Sequence, residues 1–128
     1  MGLDLELHPN VMGVRYNHPD IIGEGGYLGG TCLRLARDYV SFSKLGQGDD
    51  AKQAAFPRPC PPQVTMDRET DSGTVSSTTD DCYGAPLTYV TAGELAPILA
   101  KSRSVWNRAV GSLMAALPAE TVVVLDWC

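Results

Sequence analysis

The side chains best suited to chemistry in this 128-residue sequence are two histidines with carboxylates close by. His8 and His18 flank a segment that also holds Asp20 and Glu24. Imidazole and carboxylate groups together can transfer protons or bind metal ions. The histidines lack the His-x₃-His spacing of a helical metal site. The pattern therefore favours surface or hydrogen-bonded histidines, and no metal site is predicted.

A second polar run, Asp80-Asp81-Cys82-Tyr83, occurs later in the chain. Were the loop of residues 8–30 and this 80–83 turn to meet, they would wall a pocket with six candidate residues: His8, His18, Asp20, Asp80, Asp81 and Tyr83. Convergence of these groups would favour a small enzyme or small-ligand-binding domain, whereas scattering would favour a binding module. The sequence identifies no catalytic residue among them.

Two further patterns resemble known ligand-binding motifs but lack residues that those motifs require. The glycine-rich run 23–30 lacks the lysine of a phosphate-binding Walker loop. The acidic run 67–73 begins like a calcium loop, but Gly73 falls one residue late and Thr78 stands where a bidentate Glu is needed. No cofactor is predicted.

Composition narrows the class of protein. Apolar residues make up 44% and charged residues 20%, enough for one globular domain. The formal charge of −5 opposes binding to nucleic acid or anionic membranes. The first seven residues form neither a basic nor a long apolar segment, so we expect a cytoplasmic protein without a secretory signal or a membrane span.

The four cysteines, at 32, 60, 82 and 128, are too widely spaced for a metal knuckle. The sequence favours free thiols with Cys32 buried, and the alternative is a structural disulfide.

In the first half of the chain, alternating leucines predict a strand over residues 2–7. A loop is expected over 8–30, and a helix over 31–45 with Thr31 as its N-cap and with Arg34, Arg37 and Lys44 on its exposed face. The segment 47–79 is rich in proline and polar residues, which predicts a partly flexible insert that contacts a partner.

In the second half, residues 85–90 predict a short strand, and Thr91 with Glu94 forms a capping box. Apolar stripes predict helices over 92–101 and 104–116, the second with Trp106 in the core beside a local basic cluster. The β-branched run 121–127 predicts a central strand.

Together these elements predict a single α+β domain over 1–128. It has a largely antiparallel sheet of 3–5 strands, with about three helices on one face. The terminal strands, 2–7 and 121–127, are expected to be neighbours, with the leucines facing the helix at 104–116.

The segments Met1–Leu5 and Asp80–Leu95, with the closing Leu117-Pro118 and Val122–Trp127, resemble short uncharacterised proteins of bacteria, phages and integron gene cassettes that open with Met-Gly-Leu-Asp. The resemblance implies a mobile or accessory gene context and supplies no catalytic residues. The function expected is a non-enzymatic binding module that acts through a protein partner or a homo-oligomer. The alternative is a small enzyme or ligand-binding domain with the pocket described above.

Overall fold

The computed structural model describes residues 4–9, 32–46, 56–60, 64–69 and 71–128. These ranges contain three helices: α1 (Tyr39–Lys44), α2 (Ala92–Ala100) and α3 (Val105–Ala116). They also contain seven strands: β1 (Leu5–Pro9), β2 (Leu33–Arg34), β3 (Arg58–Pro59), β4 (Met66–Glu69), β5 (Val75–Thr78), β6 (Thr88–Thr91) and β7 (Val122–Trp127).

Five strands form one antiparallel sheet in the order β2-β1-β7-β6-β3, and β4 pairs with β5 in a separate hairpin. Strand β1 lies directly beside β7, with Leu5 opposite Trp127 and Leu7 opposite Leu125. The α+β arrangement, the pairing of the two terminal strands and the central place of β7 are confirmed.

Helices cover one face of this sheet because alternate residues of its strands are apolar. Leu5 and Leu7 of β1 are fully buried in one cluster with Val110 and Met114 of α3, and Leu3 lies outside the described residues. Trp127 meets Phe42 of α1 edge-on, with ring centres 5.3 Å apart. Both leucines therefore face the apolar cluster to which α3 contributes, and direct packing of this strand on α3 stays a prediction.

The opposite face carries a smaller apolar cluster of Val64, Met66, Leu87 and Val124. Two of these residues come from segment 47–79, for which the sequence predicts a partly flexible insert that is strand-like only at 63–66. In its described parts the segment provides edge strand β3, the β4–β5 hairpin and two buried side chains. The flexibility of the insert stays a prediction.

The helix predicted over 31–45 is wrong in its first half. Leu33 and Arg34 pair as a strand with β1, and α1 begins only at Tyr39. Asp38 is its N-cap, and the Asp38 carboxylate accepts a hydrogen bond from the Val40 N–H. Before Asp38, pairing with β1 therefore outweighs the helical periodicity of the sequence. The predicted N-cap, Thr31, lies outside the described residues.

The capping box predicted at the start of α2 is confirmed. The Thr91 hydroxyl accepts the Glu94 N–H, and a Glu94 carboxylate oxygen accepts the Thr91 N–H at 2.9 Å. Arg58 of β3 donates to the same carboxylate and lies over the Tyr89 ring. Ser104 caps α3, so the helices predicted over 92–101 and 104–116 form with boundaries shifted by one residue.

A disulfide joins Cys82 to Cys128, with Cα atoms 4.9 Å apart. The Cys82 N–H donates to the Trp127 carbonyl, so the 80–83 turn lies beside the end of β7. The prediction of free thiols is wrong for this pair and right for Cys32 and Cys60. Cys32 is exposed, so its predicted burial is wrong, because it precedes a strand at the edge of the sheet.

Every helix in the described ranges is too short or too polar to span a lipid bilayer.

Candidate functional site

His8 occupies strand β1 and not the predicted loop, so its position is fixed by strand pairing. It lies opposite Val124 of β7 in the register. The other predicted histidine, His18, and the carboxylate Asp20 lie outside the described residues.

The predicted Asp80–Tyr83 group forms a tight turn. The buried Asp81 carboxylate accepts the backbone N–H groups of Tyr83 at 2.8 Å and Ala85 at 3.0 Å. Asp80 bridges Pro86 across the turn, and Tyr83 is 55% exposed. These contacts give Asp81 a structural role, and the pocket expected between this turn and the 8–30 loop remains a prediction.

The groups that meet His8 come from three places in the sequence. Its Nε2 atom lies 3.8 Å from Glu6 Oε2 and 3.9 Å from Asp126 Oδ2. The Cys32 thiol donates to the same Glu6 oxygen at 3.4 Å. We call Glu6, His8, Cys32 and Asp126 the His8 cluster. It lies on the sheet face away from the helices, since its strand residues alternate with the leucines of β1.

Two carboxylates of the His8 cluster stand directly opposite each other, because Glu6 pairs with Asp126 in the β1–β7 register. Like charges at such positions repel. On its other side, Glu6 accepts a hydrogen bond from Arg34 at 2.9 Å through Oε1. Burial, the largest influence, raises the pKa of Glu6, but the Arg34 and Cys32 hydrogen bonds together lower it overall. Glu6 is therefore ionised at neutral pH.

Cys32 is not activated as a nucleophile in this arrangement. Partial burial, followed by the Glu6 carboxylate, raises its pKa to about 12. A catalytic cysteine needs a lowered pKa so that the thiolate is populated. The His8 cluster thus lacks the electrostatics of a cysteine hydrolase.

Sequence reasoning found only His8 of this cluster. Glu6 appeared as the solvent side of a strand, Cys32 as part of a helix and Asp126 as part of an apolar run. The signal that could have linked them is strand pairing, because the alternation that buries Leu5 and Leu7 places Glu6 and His8 on one face.

A second candidate site lies where α1 and α3 begin. Four exposed apolar side chains, which we call the Trp106 surface, occur here: Tyr39 (73% exposed), Val40 (51%), Val105 (72%) and Trp106 (51%). The prediction that Trp106 belongs to the core is wrong. Helix α3 buries Asn107, Val110, Gly111 and Met114 instead.

Hydrogen bonds hold the two halves of the Trp106 surface together. The Asn107 side chain accepts the Ala36 N–H and donates to the Ala36 carbonyl, both at 2.8 Å. The Trp106 indole N–H donates to the Arg34 carbonyl at 2.7 Å. Ser102 donates to the Asp38 carboxylate at 2.6 Å, and this bond is the main cause that lowers the pKa of Asp38. The exposed apolar groups therefore stand on a fixed backbone.

Basic side chains adjoin the Trp106 surface. Lys101, Arg103 and Arg108 are exposed around the start of α3, and Arg108 donates to the Ser102 carbonyl at 2.8 Å. A chain of net charge −5 thus carries a local positive region next to exposed aromatic groups.

A shallow groove of about 420 Å³ runs between α2 and α3, and Arg108 of the basic cluster is one of its lining residues. Its walls are mainly small side chains, including Ala96, Ala100 and Ala115. Gly111 allows this close packing, since a Cβ there would lie 2.9 Å from Leu99 Cβ. The groove reflects helix packing and offers few groups to orient a ligand.

The chain was also compared with known proteins, as family models, as individual curated proteins and as solved structures. None of the three comparisons finds a match.

Proposed function

We propose that this chain is a non-enzymatic binding module that acts through a protein partner, in an accessory role of the kind found among cytoplasmic proteins of mobile gene cassettes. The observation that carries the proposal is the Trp106 surface. Tryptophan and tyrosine are enriched at the centres of protein interfaces, where they contribute much of the binding energy. Trp106 and Tyr39 are both more than half exposed here.

Charge selects the kind of partner. Lys101, Arg103 and Arg108 are exposed and lie within four residues of Val105 in the chain, so an acidic partner is attracted and a basic one repelled. We therefore propose an acidic protein segment that carries one or two apolar side chains. Such a segment would place its apolar groups on Val105 and Trp106 and its carboxylates near the three basic side chains.

The test compares two exposed valines. Val105→Asp introduces a charge into the Trp106 surface, and Val75→Asp introduces the same charge into strand β5, where Val75 is 68% exposed. Both variants should fold, because neither side chain is buried. Cross-linking in source cells should yield a partner that wild type and Val75→Asp retain and Val105→Asp loses.

The cross-linked segment of that partner is then synthesised and titrated by calorimetry. We expect saturable binding that weakens at least tenfold in Val105→Asp and weakens with added salt. Equal binding to both valine variants would overturn the proposal. So would concentration-dependent self-association lost only in Val105→Asp, or binding of a single-stranded oligonucleotide in place of the acidic peptide.

A further inference from the structure

We propose that Glu6, His8 and Cys32 bind one divalent metal ion of the zinc class, and that Asp126 lies beside it as an additional carboxylate. This site is independent of the Trp106 surface. Its donor atoms are an imidazole nitrogen, a sulfur and a carboxylate oxygen, the set that zinc prefers over magnesium or calcium.

The spacing of the donor atoms fits one tetrahedral ion. Zinc lies about 2.0–2.2 Å from nitrogen and oxygen and about 2.3 Å from sulfur, so neighbouring donors stand about 3.3–3.7 Å apart. Glu6 Oε2 lies 3.4 Å from Cys32 Sγ and 3.8 Å from His8 Nε2. All three atoms lie within 4.8 Å of one another. Binding of the ion would require the three side chains to approach one another by at most about 1 Å.

The two oxygens of Glu6 have separate roles. Oε1 accepts the hydrogen bond from Arg34, whereas Oε2 faces His8 and Cys32. A carboxylate held by an outer hydrogen bond presents its second oxygen to a metal in a fixed direction, which is how outer contacts orient metal ligands in proteins. Arg34 is therefore a positioning residue for Glu6.

The strand register places a further carboxylate beside the proposed ligands. Glu6 and Asp126 are directly opposed across the β1–β7 ladder, and their side chains are only 22% and 4% exposed. A divalent cation bound through Glu6 Oε2 therefore lies close to Asp126, and Cys32 loses its thiol proton to solvent as the metal–sulfur bond forms.

A second group of potential ligands, Cys82, Cys128 and Asp126, also lies close together. The two sulfurs are joined in a disulfide, so they are not thiolates and bind metal only after reduction. The oxidised protein therefore separates the two possible sites.

The experiment titrates the oxidised, folded protein with Co²⁺, whose bond to a thiolate produces a charge-transfer absorption in the near ultraviolet. We expect this absorption in wild type, its loss in Cys32→Ser, and at least a tenfold weaker affinity in His8→Gln. The matched control is Cys60→Ser, since Cys60 is a free cysteine packed against the cluster of Val64 and Leu87. It should leave the absorption unchanged, and Zn²⁺ should remove it by displacement.

A second measurement avoids any substitution. Alkylation of Cys32 in the folded wild type, followed by mass spectrometry, should slow at least tenfold when Zn²⁺ is added. The proposal is overturned if oxidised wild type shows no sulfur-to-cobalt absorption, if Cys32→Ser retains it, or if it arises only after Cys82–Cys128 is reduced. Unchanged alkylation in the presence of Zn²⁺ would overturn it as well.

Discussion

The two faces of the sheet carry different kinds of side chain from the same strands. On the helix side, Leu5, Leu7 and Leu125 join a large apolar cluster with residues from all three helices. On the other side, Val124 packs in a cluster of four buried residues, while Glu6, His8 and Asp126 bring charge and imidazole together. The helix-side face carries the large apolar cluster, whereas the other face carries both the smaller apolar cluster and the candidate metal ligands. Alternation along β1 and β7 therefore separates the core from the candidate metal site by a single residue step.

The largest expected effect comes from introducing a carboxylate on the helix-side face of β1, one residue before Glu6. Leu5→Asp places an unpaired charge at a fully buried position on the helix side, next to the carboxylate that Glu6 already carries on the other side. Burial of such a charge costs several kcal/mol against a total stability of about 5–15 kcal/mol. We expect loss of cooperative urea unfolding and of the near-ultraviolet dichroism of Trp127. A cooperatively folding Leu5→Asp variant would show that this face is not the core.

The opposite face is tested by removal of its cover. Replacing 48–76 by a short Gly/Ser bridge deletes Arg58, Val64 and Met66 and exposes Val124 and Leu87. We expect destabilisation by several kcal/mol, because about 25 cal/mol is lost for each Å² of apolar surface returned to water. The control replaces only the exposed hairpin tip, residues 71–74, by Asn-Gly and should change stability by less than about 0.5 kcal/mol. Equal stability of the two variants would mean that the segment covers nothing.

The disulfide offers a smaller perturbation at the end of β7. Cys82 and Cys128 are 46 residues apart, and a cross-link over such a loop stabilises by about 2–4 kcal/mol. We expect the double variant Cys82→Ser, Cys128→Ser to lose this amount in urea denaturation, and added reductant to lower wild type to the same value. Thiol trapping in source cells then tests the proposed cytoplasmic location, since the cytosol keeps most thiols reduced. An oxidised pair in those cells would argue for another compartment.

The smallest expected effect concerns the capping box of α2. Thr91→Ala should cost about 1 kcal/mol, because it removes the acceptor for the Glu94 N–H. The control Thr79→Ala changes an exposed threonine and should be nearly neutral. An equal effect of the two substitutions would mean that α2 does not depend on this cap.

The stability that Glu94 of this capping box contributes depends on pH in a defined direction. The Arg58 hydrogen bond, the largest cause, lowers the pKa of Glu94 from 4.5 to about 2. A lowered folded-state pKa stabilises the protein above the unfolded value, and that contribution disappears as the pH falls from about 4.5 to about 2. The stability difference between wild type and Glu94→Gln should therefore shrink over this range. A difference that stays constant would place Glu94 outside the Arg58 contact.

The sequence predicted features that depend on neighbouring residues and missed those that depend on residues far apart in the chain. The capping box, both long helices and strand β7 follow from neighbouring residues, and all were predicted. The helix over 31–45 failed because Leu33 and Arg34 pair with residues far away in the chain, and no local pattern reports that pairing. The His8 cluster was missed for the same reason, since it joins Glu6 to Asp126 across nearly the whole sequence.

Trp106 shows a different limit. Its spacing from Val110 suits an apolar helix face, yet α3 buries the polar Asn107, whose side chain makes two hydrogen bonds to Ala36. A buried polar residue of this kind cannot be recognised before its partner is known. The exposed aromatic surface therefore emerged only from the three-dimensional arrangement.

The disulfide also determines how the molecule would respond to a mechanical load. Asp4 and Cys128 exchange backbone hydrogen bonds at one end of the β1–β7 ladder, so a force pulling these two residues apart opens the ladder like a zipper, one bond at a time. While Cys82 and Cys128 remain joined, the polypeptide between them bears no tension. Reduction would release it and lengthen the stretched chain by about 150–165 Å, at about 3.3–3.6 Å per residue over a separation of 46 residues. The redox state of one bond thus sets the extensible length of the protein.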